Sequence, residues 1–140
     1  MFSEFFAQNH IWFAALAVIL VLLVLSFIQG QVKGAKMVSA LELPSLQRDG
    51  NATIIDVNPD KDFDIAHIPD ALNFPIDTLN NDNKALLKLK DHTAIVTCQT
   101  GAKSNKAAKI LIELGFTNVH ILRGGLISWT KENLPITSKA

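Results

Sequence analysis

The hydrophobic positions of this chain form one long run near the N-terminus and several short runs beyond it. The long run begins at Ile11 and ends at Ile28, and Ser26 is its only plainly polar side chain. A helix of this length rises about 27 Å, which is enough to cross a bilayer that thins slightly. The pattern therefore predicts that residues 1–29 form an N-terminal tail and a transmembrane helix.

Two other interpretations of the apolar run fit the sequence less well. A signal peptide normally carries Lys or Arg before its apolar core, but residues 1–10 contain neither, and no small-residue cleavage pattern follows. A core helix normally has a polar stripe, which this run lacks. Because Lys33 and Lys36 follow the run, the positive-inside rule places the remaining chain in the cytoplasm. We expect a single-pass protein of the inner (cytoplasmic) membrane, with the lipid bilayer as a partner.

The short apolar runs predict a parallel α/β domain. Residues 30–37, with Gly and Lys and little apolar pattern, indicate a linker, which leaves residues 38–137 for one soluble domain. Continuous β-branched runs of this kind are typical of strands buried on both faces. The predicted strands are 53–57, 94–97 and 119–122, and the predicted helices are 45–47 and 104–114. Strands that alternate with helices favour a parallel sheet.

Composition and charge exclude several function classes. The 13 basic and 13 acidic side chains balance, so no basic stripe predicts nucleic-acid binding. A single Cys closes no internal disulfide, which agrees with a reducing compartment. The four histidines lack the close spacing of zinc ligands, so we expect no metal site; they are His10, His67, His92 and His120.

Cys98 stands where a parallel sheet places its reactive groups. It directly follows one predicted strand, while Asp56 lies near the end of another and Arg123 follows the third. The carboxyl ends of parallel strands meet helix N-termini at one edge of the sheet, where sites form. Backbone N–H groups of the following loop, the positive helix end and Lys103 would all favour a thiolate. We therefore interpret Cys98 as a nucleophile rather than as a small buried hydrophobe.

The loop after Cys98 contains further candidate residues: Gln99, Thr100, Gly101, Ala102 and Lys103. We expect Ser104 or Asn105 to cap the helix that follows. Asp56 either accepts a hydrogen bond from Lys103 or the loop, or acts as a turn former at its strand end. Both roles are open from the sequence. Gly124, Gly125 and Trp129 fit turn and packing roles better than a role in the site.

Three motifs in order resemble the rhodanese family over residues 38–135. The segment from Cys98 to Ser104 resembles the family's active-site loop, Cys-x-x-Gly-x-Arg-Ser or Thr. Ile55-Asp56-Val57, followed by residues 66–71, resembles its upstream signature, and Leu122-Arg123-Gly124-Gly125 with Trp129 resembles its closing motif. The resemblance implies a five-stranded parallel sheet with helices on both faces. It also implies a sulfurtransferase that moves sulfur from a sulfane-sulfur donor to a thiol or other nucleophile through a Cys98 persulfide, without a cofactor.

Two positions depart from the family pattern. Asn58 stands where Arg commonly follows Asp-Val, and Lys103 stands where Arg commonly ends the loop. Both departures remove guanidinium donors that could bind an anionic donor or fix the loop. A docking module at the membrane surface, serving a membrane or cytoplasmic protein partner, is thus the alternative to an enzyme. A Cys-dependent phosphatase fits less well, because Ser104 occupies the position where such an enzyme needs Arg.

Overall fold

The chain divides into two compact units, residues 1–31 and 32–140. The structure, a computed structural model, describes residues 1–29 and 32–139. The first unit is a single helix, α1 (Phe2–Gln29), and its stretch Phe2–Ile28 is long and apolar enough to span a membrane. Its backbone leaves helical geometry at Asn9 (φ −114°, ψ 15°). The Asn9 amide donates to the Phe5 carbonyl at 2.9 Å, and local polar competition of this kind bends helices.

The second unit contains a five-stranded parallel sheet, as the family resemblance implied. The strands lie in the order β1-β5-β4-β2-β3. Their bounds are β1 (Ala35–Val38), β2 (Ala52–Asp56), β3 (Leu72–Asn73), β4 (Thr93–Thr97) and β5 (Val119–Leu122). Asp56 pairs with Thr97, and Val96 pairs with Ile121. The carboxyl ends of β2, β4 and β5 are therefore level at one edge of the sheet.

Helices cover both faces of this sheet, also as implied. They are α2 (Leu43–Arg48), α3 (Asp60–Ile65), α4 (Lys84–Leu87), α5 (Ala102–Glu113) and α6 (Gly125–Lys131), with a 3-10 turn at Ile76–Thr78. Successive strand residues point to opposite faces, so Ile54 and Ile55 enter two different cores. Ile55 packs in a core with Leu111 of α5, and Ile54 packs in a core with Trp129 of α6. Burial on both faces explains why the central strands are continuous apolar runs.

Two sequence predictions need correction. The predicted linker is too long, because its residues 35–37 belong to β1; Gly30 and Gln31 lie outside the described residues. An edge strand pairs along one side only, and β1 leaves Lys36 and Met37 exposed, so it has no apolar pattern to detect. Helix α5 begins at Ala102 rather than at Ser104, because Gly101 in the left-handed conformation (φ +93°) precedes its first turn.

The C-terminal tail is tied back onto the domain. The backbones of His67 and Thr137 exchange two hydrogen bonds of 2.9 Å, and the Trp129 indole donates to the Pro135 carbonyl at 2.7 Å. The His67 ring stacks on the Phe63 ring with their centroids 3.7 Å apart, and His67 Nδ1 lies 2.6 Å from the Phe63 carbonyl oxygen, within hydrogen-bonding distance. The ordered domain therefore continues through Lys139, whose backbone donates to Asp64.

Candidate active site

The structure places Cys98 directly after β4, with Asp56 at the end of β2 and Arg123 after β5. The level strand ends bring these three positions to the same edge of the sheet. Cys98 is only 2% exposed, whereas Arg123 is exposed. Thus the strand ends place the sulfur at the floor of the site, beneath the loop that follows it.

Two donors meet the Cys98 sulfur. The Gly101 backbone N–H donates to Sγ at 3.0 Å, and the Ser104 hydroxyl donates to Sγ at 3.3 Å. Both are neutral groups, and a hydrogen bond to the charged form of an acid favours that form. Ser104 is completely buried, so its hydroxyl is withdrawn from water. The arrangement can hold a sulfur anion without a neighbouring cation.

Ser104 has a different role from the predicted one. The residue that precedes α5 is Gly101, and no side chain caps that end of the helix. Ser104 lies one turn further in, where the helix turns its side chain towards Cys98. The prediction that Ser104 or Asn105 caps α5 is therefore wrong.

Gly101 gives the loop its direction. Its φ of +93° belongs to the left-handed region, which residues with a side chain rarely adopt. This conformation directs the backbone from the loop into α5, while the Gly101 N–H, which belongs to the peptide group shared with Thr100, points at the sulfur. The other predicted loop residues face outwards: Gln99, Thr100, Ala102 and Lys103 are exposed.

The start of α6 holds the loop from above. Leu126 N–H donates to the Cys98 carbonyl at 2.9 Å, and Ile127 N–H donates to the Gln99 carbonyl at 3.1 Å. A Cβ on Gly125 would collide with the Cys98 carbonyl oxygen and lie 2.8 Å from the Gly101 nitrogen. Gly125 is thus part of the site, although the sequence favoured a turn and packing role. The signal for it was a glycine pair that begins two residues after a strand ending at the site.

Asp56 acts as a turn former. Its Oδ1 accepts the Asn58 backbone N–H at 2.9 Å, as Asp does where a strand ends in a turn. Burial raises the pKa of the Asp56 carboxyl above its ordinary value, and the hydrogen bond from Asn58 opposes that rise. In residues 32–139, Lys103 forms no ion pair or hydrogen bond with Asp56. Of the roles that the sequence left open for Asp56, the structure has the turn former.

Two asparagines in this region have contacts that the sequence did not predict. The Asn58 side-chain oxygen accepts the Gln99 backbone N–H at 3.2 Å. The Asn73 amide donates to the Asp56 carbonyl at 3.1 Å and to the Asn58 carbonyl at 2.9 Å. These contacts link β3, the end of β2 and the Cys98 loop.

A cleft of about 240 Å³ opens beside Gln99. Asp62, Ile65 and Ala66 line its other walls. On the far strand, the Arg123 backbone donates to the Val38 carbonyl at 2.9 Å, while its guanidinium forms no hydrogen bond within residues 32–139. The same described residues contain no cluster of His, Cys, Asp or Glu suited to a metal ion.

Comparison with known proteins identifies relatives of the domain. The model of the family described as "Rhodanese-like domain" matches residues 39–132. The Mycobacterium tuberculosis protein "Probable adenylyltransferase/sulfurtransferase MoeZ" is 36% identical over 83 residues, which are 59% of this chain and 21% of that protein. This chain therefore spans about a fifth of that relative. Escherichia coli YibN, described as uncharacterized, is 27% identical over 134 residues, covering 95% of this chain and 94% of YibN.

Solved structures have the same fold. A rhodanese-related protein from Thermoplasma volcanium aligns with a TM-score of 0.63 and 26% identity, over 73% of this chain and 97% of that one. The 3-mercaptopyruvate sulfotransferase SseA of Escherichia coli aligns with a TM-score of 0.63 and 25% identity, over 76% of this chain and 52% of that one.

We predict that Gly125→Ala disturbs the Cys98 loop. The added methyl would strike the Cys98 carbonyl, so the loop must shift and Gly101 would lose its aim at the sulfur. The expected result is a slower alkylation of Cys98 by iodoacetamide at neutral pH, together with a lower thermal midpoint. Gly50→Ala is the matched control, because Gly50 also has a positive φ (+105°) but open space around it. Equal alkylation rates in the two variants would contradict the role given to Gly125.

Proposed function

The chain belongs to the rhodanese-like domain family, and we propose on that basis that it is a membrane-anchored sulfurtransferase that carries sulfur as a persulfide on Cys98. The observation that carries the proposal is the pair of neutral donors on Cys98 Sγ, from Gly101 at 3.0 Å and Ser104 at 3.3 Å. The names of MoeZ and SseA, which describe sulfur transfer in those proteins, support it. So does UBA4 of Meyerozyma guilliermondii, an adenylyltransferase and sulfurtransferase by name.

The first step loads the sulfur. The Cys98 thiolate attacks the outer sulfur of a donor such as thiosulfate, a new S–S bond forms, and the donor's own S–S bond breaks. Sulfite leaves with the electron pair of that bond, so the step needs no oxidant or reductant. The persulfide carries its negative charge on the terminal sulfur, beside the Gly101 N–H that donates to Sγ, and this donor acts much as an oxyanion hole does.

The second step unloads the sulfur. An acceptor thiolate attacks the terminal sulfur, the S–S bond to Cys98 breaks, and the Cys98 thiolate leaves. The acceptor becomes the new persulfide. Because Cys98 is the only cysteine of the chain, no internal thiol can resolve the intermediate, and the acceptor must come from outside. The cleft between Gln99 and Asp62 offers an approach to the loop.

A docking module is the second candidate function. Two features favour it: Asn58 and Lys103 stand where the family commonly has Arg, and Lys103 lies exposed at the surface. Such a module would bind a membrane or cytoplasmic protein without transferring sulfur. The neutral donors on Cys98 favour the enzyme, since a docking surface does not need a backbone N–H that points at a buried cysteine sulfur.

The membrane part of the proposal rests on α1. Its apolar stretch supports a single span of the inner membrane, and Lys33 and Lys36 support a cytoplasmic position for the domain by the positive-inside rule. An anchored enzyme of this kind would exchange sulfur with donors and thiol acceptors at the membrane surface.

We predict that thiosulfate adds one sulfur atom to Cys98. The full-length protein in detergent is treated with thiosulfate, and its intact mass is measured before and after reduction. The wild type should gain one sulfur that reduction removes, whereas Cys98→Ser should gain none. Cys98→Ser should also keep its thermal midpoint, because the substitution changes one atom in a loop. A wild type that gains no sulfur from thiosulfate or from 3-mercaptopyruvate would support the docking module instead.

We predict that the full-length chain is an integral membrane protein. It should sediment with membranes after alkaline carbonate extraction, with its C-terminus reached by protease only from the cytoplasmic side. The control is a chain with Leu20→Arg and Leu23→Arg, since each Arg at mid-span costs about 3 kcal/mol of insertion. Release of the wild type by carbonate would contradict the anchor, and protease access from the outside would contradict the orientation.

A further inference from the structure

We propose that Asn58 is a positioning residue for the Cys98 loop, an inference that rests on the proposed function and deepens it. Asn58 follows β2, is 3% exposed, and accepts the Gln99 N–H at 3.2 Å through its side-chain oxygen. This bond joins positions 41 residues apart in the chain. It ties the segment after β2 to the first residue of the loop.

Asn58 is itself held on two sides. Its backbone N–H donates to Asp56 Oδ1 at 2.9 Å, and its carbonyl accepts the Asn73 amide at 2.9 Å. Asn73 also donates to the Asp56 carbonyl at 3.1 Å, so β3 locks the turn that carries Asn58. A side chain on such a fixed turn offers its oxygen at a defined place. The Gln99 N–H is therefore held to a rigid support rather than to a mobile side chain.

The bond from Asn58 completes a clamp on the peptide group between Cys98 and Gln99. The Leu126 N–H donates to the Cys98 carbonyl of this peptide group, and the Asn58 side-chain oxygen accepts its Gln99 N–H. Because the carbonyl oxygen and the N–H of this peptide group are both held, the orientation of the peptide plane is fixed, and so is the direction in which the loop begins. Gly101, three residues after Cys98, then returns its N–H to the sulfur. Without the Asn58 contact, one side of this peptide group is free, and the Gly101 N–H can move away from the Cys98 sulfur.

The side-chain nitrogen of Asn58 indicates that the side-chain oxygen is the atom that matters at this position. Asn58 Nδ2 is buried and has no hydrogen-bond partner among the described residues. Rotating the amide would bring this NH₂ against the Gln99 N–H, so the loop dictates the orientation. A buried donor without a partner is destabilising, and an apolar residue would suit a position that serves packing alone.

Asn58 does more than stand in for a missing Arg. Arg carries donors and no acceptor, so it cannot receive the Gln99 N–H. The departure from the family pattern at this position therefore replaces a cation with an acceptor for the loop backbone. We infer that this chain fixes its loop by a neutral hydrogen bond from the Gln99 N–H to the Asn58 side chain. A relative with Arg at this position has no acceptor there and cannot form that bond.

The test measures Cys98 alkylation by iodoacetamide in the full-length protein, in detergent, from about pH 6 to pH 10. Asn58→Ala should slow alkylation several-fold at neutral pH, because a less well-aimed Gly101 N–H stabilises the thiolate less. The rate at alkaline pH should stay near that of the wild type, since the thiolate then forms without help. A role in stability alone would leave the pH profile unchanged.

Asn118→Ala is the matched control. Asn118 also bridges strand segments, donating to Thr93 Oγ1 at 2.9 Å, but it does so at the amino ends of the strands, away from the site. This variant should lose stability and keep the wild-type pH profile. A shift of the same size in Asn118→Ala would show that the profile reports general loosening of the domain and would overturn the proposal.

Asn58→Asp decides the matter if Asn58→Ala does not fold. It keeps an oxygen for the Gln99 N–H, so hydrogen exchange at the Gln99 amide should remain as slow as in the wild type. Rapid exchange there, or a wild-type pH profile in a folded Asn58→Ala, would overturn the proposal.

Alkylation needs no sulfur donor, so a chain that takes no sulfur yet shows the expected shift would contradict the proposed function and leave this inference intact.

Discussion

The Gly101 N–H that donates to the Cys98 sulfur is the interaction on which the site depends. For this N–H to point at the preceding sulfur, the chain must turn within three residues, and the left-handed Gly101 then leads the backbone into α5. This loop then needs support from outside, and it receives this from the level ends of β2 and β4 and from the first turn of α6. Gly125 permits that close approach because it has no side chain. A small set of backbone constraints thus brings the Gly101 N–H to the Cys98 sulfur.

The site relies on neutral groups rather than on cations. Lys103 is exposed, and Ser104 and the Gly101 backbone make the contacts to Sγ. Dipoles fixed in place before the reaction need no rearrangement when charge moves onto a terminal sulfur. Asp56 serves the turn after β2, and burial raises the pKa of its carboxyl above the ordinary value, while the hydrogen bond from Asn58 opposes that rise.

The sequence was most informative where burial on both faces makes a strand apolar throughout, as in β2, β4 and β5. Strands β1 and β3 could not be predicted from the pattern, because one is an exposed edge and the other has two residues. The position of Cys98 after a strand was predictable, since strand ends and glycine loops leave local signals. The contacts of Asn58 and Ser104 were not, because they depend on side-chain direction and on an approach between segments 41 residues apart. The resemblance to a known family supplied the five-stranded sheet.

If the backbone of the loop holds the charge of the sulfur, the Gly101 amide proton reports on that charge directly. In isotope-labelled full-length protein in detergent, its NMR chemical shift can be followed as Cys98 ionises, with ionisation measured by alkylation in the same buffers. We predict that the Gly101 proton moves strongly downfield in step with ionisation, whereas the Gly50 amide does not move. A Gly101 signal that stays in place while Cys98 becomes charged would contradict the account.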